Sequence, residues 1–268
     1  FDSGFLLGDG VWEGIRLHKS KLVFIEEHLN RLYKSALGIS LDIPFSKKSL
    51  IQEIDKVLFK NNMDDNIHIR LIITRGDKIT PYQNPNANIG PVNTVIIPEY
   101  KKTDPNTYTK GITIGRVPII RPEKSVLSPQ YNTLSKLNCI LASIEANKLG
   151  YDEGIMNDTN GFVSTCNSTN LFFIKNNEVL TSTGKHCLNG ITRGKAIKVC
   201  RNNNIGCSET NFTFKDIIYC DEAFVTGTFA GIIPVSKLEN RVLKSTCNDS
   251  LVNKIRKLYN EEIENYIG

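Results

Sequence analysis

Thr133-Leu134-Ser135-Lys136-Leu137-Asn138-Cys139-Ile140-Leu141-Ala142-Ser143-Ile144-Glu145-Ala146-Asn147-Lys148-Leu149-Gly150 is the stretch on which the fold turns. Leu134, Leu137, Leu141 and Ile144 recur at the spacing that aligns one face of an α-helix. Gly150 supplies the left-handed stop that glycine adopts without a Cβ penalty. The pattern predicts a helix over 133–149, with Asn132 placed to serve as its N-cap.

Outward from this helix, short strands alternate with amphipathic helices. Downstream, Leu171-Phe172-Phe173-Ile174 and Val179-Leu180 flank Asn176-Asn177, the pattern of a hairpin. Residues 194–200 read as a helix, 222–227 as a buried strand and 251–267 as an amphipathic terminal helix. Upstream, 111–117 reads as a strand, preceded by the polar, proline-bearing run Tyr100-Lys101-Lys102-Thr103-Asp104-Pro105-Asn106. That run marks a linker over 101–107, dividing a smaller domain at 1–100 from a larger one at 108–268. Within the smaller domain, 14–18 and 22–25 read as strands, and Leu29, Leu32, Tyr33 and Ala36 give 26–37 a helical period. Ser46 opens a second helix through Ile51, Ile54, Val57 and Leu58 that Asn61-Asn62 ends, and 67–75 and 93–98 are β-rich. The fold class is α/β (α+β) in two domains.

Composition narrows the function. The 268 residues are 40% hydrophobic and 23% charged, enough to bury a sizeable core. A net charge of +5 is dispersed, as in Lys47-Lys48 and Lys101-Lys102, and lacks the basic face that nucleic acid demands. It suits an anionic small ligand. The seven cysteines show no CxxC or Cys/His ligand spacing, so no zinc site is expected, and reduced, mostly buried thiols in a cytoplasmic protein are. No apolar run reaches the ~20 residues that span a bilayer. The opening Phe1-Asp2-Ser3-Gly4 lacks a basic n-region and an initiator methionine, so a segment is expected to precede it.

Four blocks then occur in order. They are Asp2-Ser3-Gly4-Phe5-Leu6-Leu7-Gly8-Asp9-Gly10-Val11-Trp12-Glu13-Gly14-Ile15-Arg16, then His28-Leu29-Asn30-Arg31-Leu32, then the run from Asn132 through Tyr151-Asp152-Glu153-Gly154 to Thr169-Asn170-Leu171-Phe172. The last is Leu188-Asn189-Gly190-Ile191-Thr192-Arg193 with Asp221-Glu222-Ala223-Phe224-Val225-Thr226-Gly227-Thr228. Together they resemble the fold-type IV (class IV) pyridoxal-phosphate aminotransferases, a family that includes branched-chain and D-amino-acid aminotransferases and aminodeoxychorismate lyase. The resemblance implies pyridoxal 5'-phosphate in a cleft between the two domains, a homodimer, and a small amino acid, branched-chain among the candidates, exchanging its amino group with a 2-oxo acid.

Carried over residue by residue, the resemblance makes Arg31 the grip on the cofactor phosphate. Gly190, Ile191 and Thr192 then offer a helix N-terminus, and Gly227 and Thr228 a close backbone approach. Singly, Thr192 also reads as an N-cap, Thr228 as a turn and Arg31 as a surface arginine; in family order they read as a phosphate cup. Trp12 and Tyr82 are candidate pocket walls, and Arg70 a candidate for a substrate carboxylate. Arg75, Arg16 and Arg193 read as strand- or helix-end arginines, and His28 and His186 as structural.

The chain departs from the family at two central positions. Where the Schiff-base lysine is expected stands Asn132, whose amide is neither nucleophilic nor titratable near neutral pH. Where the glutamate facing the ring nitrogen is expected stands Thr165, which offers a neutral hydroxyl. Lys136, four residues on and one helical turn away if the helix runs through both, is the candidate relocated lysine; the alternative is a solvated lysine behind an Asn132 N-cap. Three functions remain: a transaminase using Lys136, a lyase of the same fold, which Thr165 mildly favours, and a catalytically silent binder of pyridoxal phosphate or another phosphate ligand.

Overall fold

A computed structural model describes residues Phe1–Gly268. Its chain divides into two compact units, the first comprising Phe1–Lys102 with Tyr131–Lys136 and Ile267, the second Thr103–Gln130 with Leu137–Tyr266 and Gly268. Each is a sheet with helices, a mixed α/β architecture. The region expected to serve the larger domain alone thus returns a hexapeptide to the first unit. Of the expected linker, residues 101–104 have no regular structure, and a helix begins at Asn106.

The first unit opens with a short helix, α1 (Ser3–Leu7), capped by Asp2, whose carboxylate accepts the Phe5 N–H at 2.9 Å. Four strands follow: β1 (Gly10–His18), β2 (Lys21–Leu22), β3 (Ile67–Thr74) and β4 (Asn93–Tyr100), in the antiparallel order β2-β1-β3-β4. Alternation decides the faces. Val11, Ile15 and Leu17 on β1 and Ile67, Ile69, Leu71 and Ile73 on β3 point to one side. There they meet Leu29, Leu32 and Ala36 of α2 (Ile25–Gly38) and Leu50, Ile54 and Leu58 of α3 (Lys47–Lys60) in a single core. Ser46 caps α3 through the Ser49 N–H at 3.1 Å. The strand expected over 22–25 stops at Leu22, because Phe24 takes a left-handed φ of 53° and turns the chain into α2. Val23 and Phe24 are apolar because they are buried at this corner.

The helix expected over 133–149 is shorter. Residues 132–134 lie extended beside β1: the Trp12 N–H donates to the Asn132 carbonyl at 3.0 Å, and the Leu134 N–H to the Gly10 carbonyl at 2.9 Å. Strand-type pairing therefore claims the groups that a first helical turn would use. The helix α5 spans Leu137–Lys148, so Asn132 is not its N-cap, while Gly150 does take φ 78° at its end. The apolar stripe faces outward. Leu137 and Ile144 are 66% and 43% exposed, whereas Ala142 and Ala146 form the buried side. Small residues win there because the backbones approach closely: a Cβ on Gly154 would stand 3.1 Å from the Ala142 carbonyl.

The second unit begins with α4 (Asn106–Lys110) and β5 (Ile112–Arg116). After α5 come β6 (Glu153–Asn157), β7 (Val163–Cys166), β8 (Asn170–Lys175), β9 (Glu178–Thr181), α6 (Ile191–Asn202) and β10 (Cys207–Glu209). Then follow α7 (Phe214–Ile217), β11 (Glu222–Gly227), β12 (Gly231–Leu238), β13 (Arg241–Val242) and α8 (Leu251–Ile267). The strands form a nine-stranded sheet ordered β10-β9-β8-β11-β12-β5-β6-β7, with β13 on β12. Ile155, Leu171, Phe173, Val225 and Val235 fill one core with Phe212 and Phe214. Phe172 and Phe224 stack at 4.6 Å between ring centroids on adjacent strands. The hairpin turn uses Asn176 and Asn177 at φ 52° and 62°, a conformation asparagine tolerates better than most residues.

Candidate functional site

In the first unit, a polar cluster gathers where residues 132–136 run along β1. Asn132 is almost fully buried, and every polar group of its side chain is engaged. Its Nδ2 donates to the Trp12 carbonyl at 2.6 Å, and its Oδ1 accepts from Lys136 Nζ at 3.1 Å. Its backbone N–H donates to Ser35 Oγ at 3.0 Å. Lys136 therefore reaches Asn132 from an extended segment, and the expected helical turn is not what brings them together. Its ammonium also lies 5.6 Å from the centroid of the Trp12 ring.

Arg70 approaches the same indole, with its guanidinium carbon 4.2 Å from the ring centroid, within cation–π range. The register explains the approach. Arg70 pairs across the sheet with Gly14, which has no side chain to block it, and Trp12 pairs with Ile72. A Cβ on Gly14 would already stand 2.9 Å from His68 Nε2. Burial, with Lys101 nearby, pushes the His68 imidazole below its ordinary value. Tyr82 is exposed in the β3–β4 connection.

Arg31 is held on the core side of β1. Its Nε and Nη2 donate to the two carboxylate oxygens of Glu13 at 2.8 and 2.7 Å, and His28 Nδ1 lies 2.7 Å from the same carboxylate. Glu13 is wholly buried. Burial opposes its charge, yet Arg31 and then His28 hold its carboxyl below the usual range. A bidentate arginine–carboxylate pair fixes direction as well as charge. The sequence reading missed Glu13 as an anchor. The signal was present, because alternation from Val11 to Ile15 places Glu13 inward, opposite an arginine on the apolar side of a helix.

In the second unit, the structure brings together the end of β11 and the start of α6. No side chain caps α6 at Gly190, so the N–H groups of its first turn are left to donate to an anion. Asn170 fixes the approach: its Oδ1 accepts the Gly190 N–H at 3.2 Å, and its Nδ2 donates to the Leu188 carbonyl at 2.9 Å. Asn170 is also paired with Thr226, whose buried hydroxyl has no hydrogen-bond partner. Gly227 ends β11, Thr228 enters the following turn, and Thr192 is buried in the first turn of α6. Uncapped N–H groups, an orphaned hydroxyl and a glycine at the strand end together fit a phosphate. Asn170 is the organiser that sequence reasoning quoted without assigning a role.

Thr165, on β7, donates its hydroxyl proton to the Thr169 carbonyl at 2.7 Å. Toward any other group it is an acceptor only. The same loop is tied to Glu153, which accepts the Ser168 N–H at 3.1 Å and the Ser168 hydroxyl. Burial raises the Glu153 carboxyl. Two of the arginines read as structural have local partners. Arg75 pairs with Asp9 at 2.7 Å, and Arg193 donates to the Ser182 carbonyl at 2.6 Å and to Glu209 at 2.8 Å. No group of three or more His, Cys, Asp or Glu side chains is placed to hold a metal ion, and no helix is long and apolar enough to cross a membrane.

The chain is similar to known proteins over most of its length. The family model for amino-transferase class IV matches residues 10–238. The putative branched-chain-amino-acid aminotransferase of Methanocaldococcus jannaschii is 35% identical over 262 residues, which are 97% of this chain and 89% of that protein. Branched-chain-amino-acid aminotransferase-like protein 2 of Arabidopsis thaliana is 36% identical over 245 residues. These are 91% of this chain but 43% of that protein, so the chain spans under half of this relative's length. The crystal structure of the branched-chain amino acid aminotransferase from Escherichia coli superposes with a TM-score of 0.87 at 26% identity, covering 98% of this chain and 87% of that one.

Proposed function

The chain belongs to the class IV aminotransferase family, and on that premise we propose that it binds pyridoxal 5'-phosphate and moves an amino group between a small amino acid and a 2-oxo acid. When bound, that cofactor supplies the electron sink for the chemistry at the amino-bearing carbon. The protein supplies attachment, orientation and proton transfer.

One observation carries the proposal: Lys136 Nζ stands 3.1 Å from the Asn132 side chain, within one hydrogen bond of the position where the family resemblance expects its lysine. Asn132 itself cannot attach the cofactor aldehyde, and in this reading it holds and aims the amine that does. Lys136 also moves the proton at the reacting carbon. The first turn of α6, from Gly190 through Ile191 to Thr192, holds the phosphate with Gly227 and Thr228. In the first unit Arg31, aimed by Glu13, is the anion-binding candidate. Arg70 takes a substrate carboxylate, and Trp12 walls the side-chain space. The relatives' names favour a branched-chain substrate. A second copy of the chain covers the outward apolar face of α5, making a homodimer.

The test is chemical. Protein incubated with pyridoxal phosphate is reduced with borohydride, and the modified peptide is mapped by mass spectrometry. Label on Lys136, absent from Lys136→Ala, supports the reading; label that survives this substitution on another lysine overturns it. Thr165 supports a second reading. With its proton committed to Thr169, it offers the ring nitrogen a neutral acceptor where the family offers a carboxylate. That weakens the electron sink and favours lyase chemistry or silent, non-covalent binding. Pyruvate release without an amino acceptor would identify the lyase, and binding without borohydride-stable label the silent protein.

A further inference from the structure

Arg121, in the second unit, is 8% exposed, yet no carboxylate faces it. Its Nη1 donates to Asn138 Oδ1 at 3.0 Å and to Cys139 Sγ at 3.1 Å, both in the first turn of α5. Its Nε donates to the His186 carbonyl at 3.3 Å. Its backbone N–H donates to the Asn157 carbonyl at 2.8 Å, which anchors the residue at the end of β6. A guanidinium cannot shed its charge, and burying one against neutral acceptors alone is costly. What this one holds is the segment that delivers α6.

That segment, residues 182–190 between β9 and α6, has no helix or strand of its own. Side chains instead take its carbonyls at every second residue. Arg193 Nη2 donates to the Ser182 carbonyl at 2.6 Å, and Gln130 Nε2 to that of Gly184 at 3.2 Å. Ser164 Oγ donates to the His186 carbonyl at 2.9 Å, beside the Arg121 bond, and Asn170 Nδ2 to that of Leu188 at 2.9 Å. Asn170 then accepts the Gly190 N–H, where the segment becomes a helix. Among these holders Arg121 alone also reaches α5, so it ties the strap to a second element.

We propose that Arg121 is a positioning residue for the anion site at the start of α6. It touches no anion. By bridging α5 and the His186 carbonyl it fixes the path of residues 182–190, and hence the direction in which the Ile191 and Thr192 N–H groups point. The inference rests on the reading of that terminus as a phosphate holder. Donors that are converged before the anion arrives bind it more tightly, because ordering them afterwards subtracts from affinity. The planar fork matters here more than the charge. A lysine ammonium in its place cannot serve α5 and the strap in the same fixed directions.

The experiment titrates the isotope-labelled full chain, free of pyridoxal phosphate, with inorganic phosphate and follows the amide resonances of Ile191 and Thr192. The native chain gives a saturable shift. Arg121→Met and Arg121→Lys each raise the Kd by about tenfold, the scale on which supporting hydrogen bonds behind a site act. Amide order parameters fall across residues 183–189 in both variants, while those of β5 and β6 hold. Should Arg121→Met fail to fold, Arg121→Lys, which keeps the charge, supplies both readings. A folded variant with the native Kd overturns the proposal even where its urea stability drops, because the arginine is then only structural. A raised Kd with unchanged order in the strap overturns it as well. Native amides that phosphate leaves unmoved overturn instead the phosphate reading of α6, and this inference with it.

Discussion

The two units carry the two departures from the family pattern in opposite ways. Around Asn132 the first unit keeps a primary amine in hydrogen-bond reach and adds a second cation over Trp12. Around Thr165 the second unit keeps no carboxylate on the residue, and the hydroxyl proton is spent inside its own loop. The uncapped start of α6, proposed above to hold a phosphate, relies mostly on backbone N–H groups, which a side-chain substitution does not remove. On the proposed reading the contrast teaches where such a protein has latitude: Lys136 sets an amine beside Asn132 and the start of α6 stays uncapped, but Thr165 brings no charge.

The largest expected effect breaks the first half of this contrast. Lys136→Ala removes borohydride-stable label completely, whereas Asn132→Lys transfers it to residue 132 in the peptide map. Unchanged labelling in Lys136→Ala would show that Lys136 is not the point of attachment. Next comes the anchor behind the cluster. Glu13→Ala leaves Arg31 and His28 facing a buried void, and a destabilisation of about 3–5 kcal/mol is expected in urea unfolding.

Acid tests the same anchor more gently. Glu13 has a carboxyl depressed in the folded protein. Its contribution is therefore present above the unfolded-state value and is lost as pH falls through the folded value. Stability should drop more steeply below the ordinary carboxylate range in the native chain than in Glu13→Gln, measured by denaturant midpoint against pH. In the second unit, Thr192→Val should weaken pyridoxal-phosphate binding by about tenfold, the cost of one hydrogen bond to a charged group, read by fluorescence titration. No change would mean that the backbone alone forms the cup. The smallest effect concerns α5. Leu141→Ser on the exposed stripe should alter urea stability by less than about 0.5 kcal/mol, while shifting sedimentation toward the monomer if a second copy covers that face.

Much of the fold was legible because period and punctuation agree. Ser46, the alternation through β1 and β3, and the Asn176-Asn177 turn each name their structure by local physics. The helix at residue 133 was not legible. Its pattern was truly helical, but long-range pairing with Gly10 and Trp12 claimed the first turn, and the apolar stripe faced outward. The same limit applies to the candidate site. Asn132 and Thr165 announced themselves by departing from a pattern, whereas the Asn132–Lys136 hydrogen bond and the Asn170 bridge exist only in three dimensions. Glu13 lay between these cases, readable from its inward register yet overlooked because glutamate on a strand is usually a surface residue.

The extended pairing of residues 132–134 with β1 also sets an order of events during synthesis. Trp12 and Asn132 are 120 residues apart in the chain. A ribosome that has released only the first unit's continuous span, through Lys102, has not yet delivered the segment that borders β1. Until it arrives, that border is an open β-edge, with the Trp12 N–H, the Trp12 carbonyl and the Gly10 carbonyl missing their native partners. The first unit is therefore begun before the second but not closed before it, and its exposed edge is where a slow or stalled chain would meet its neighbours.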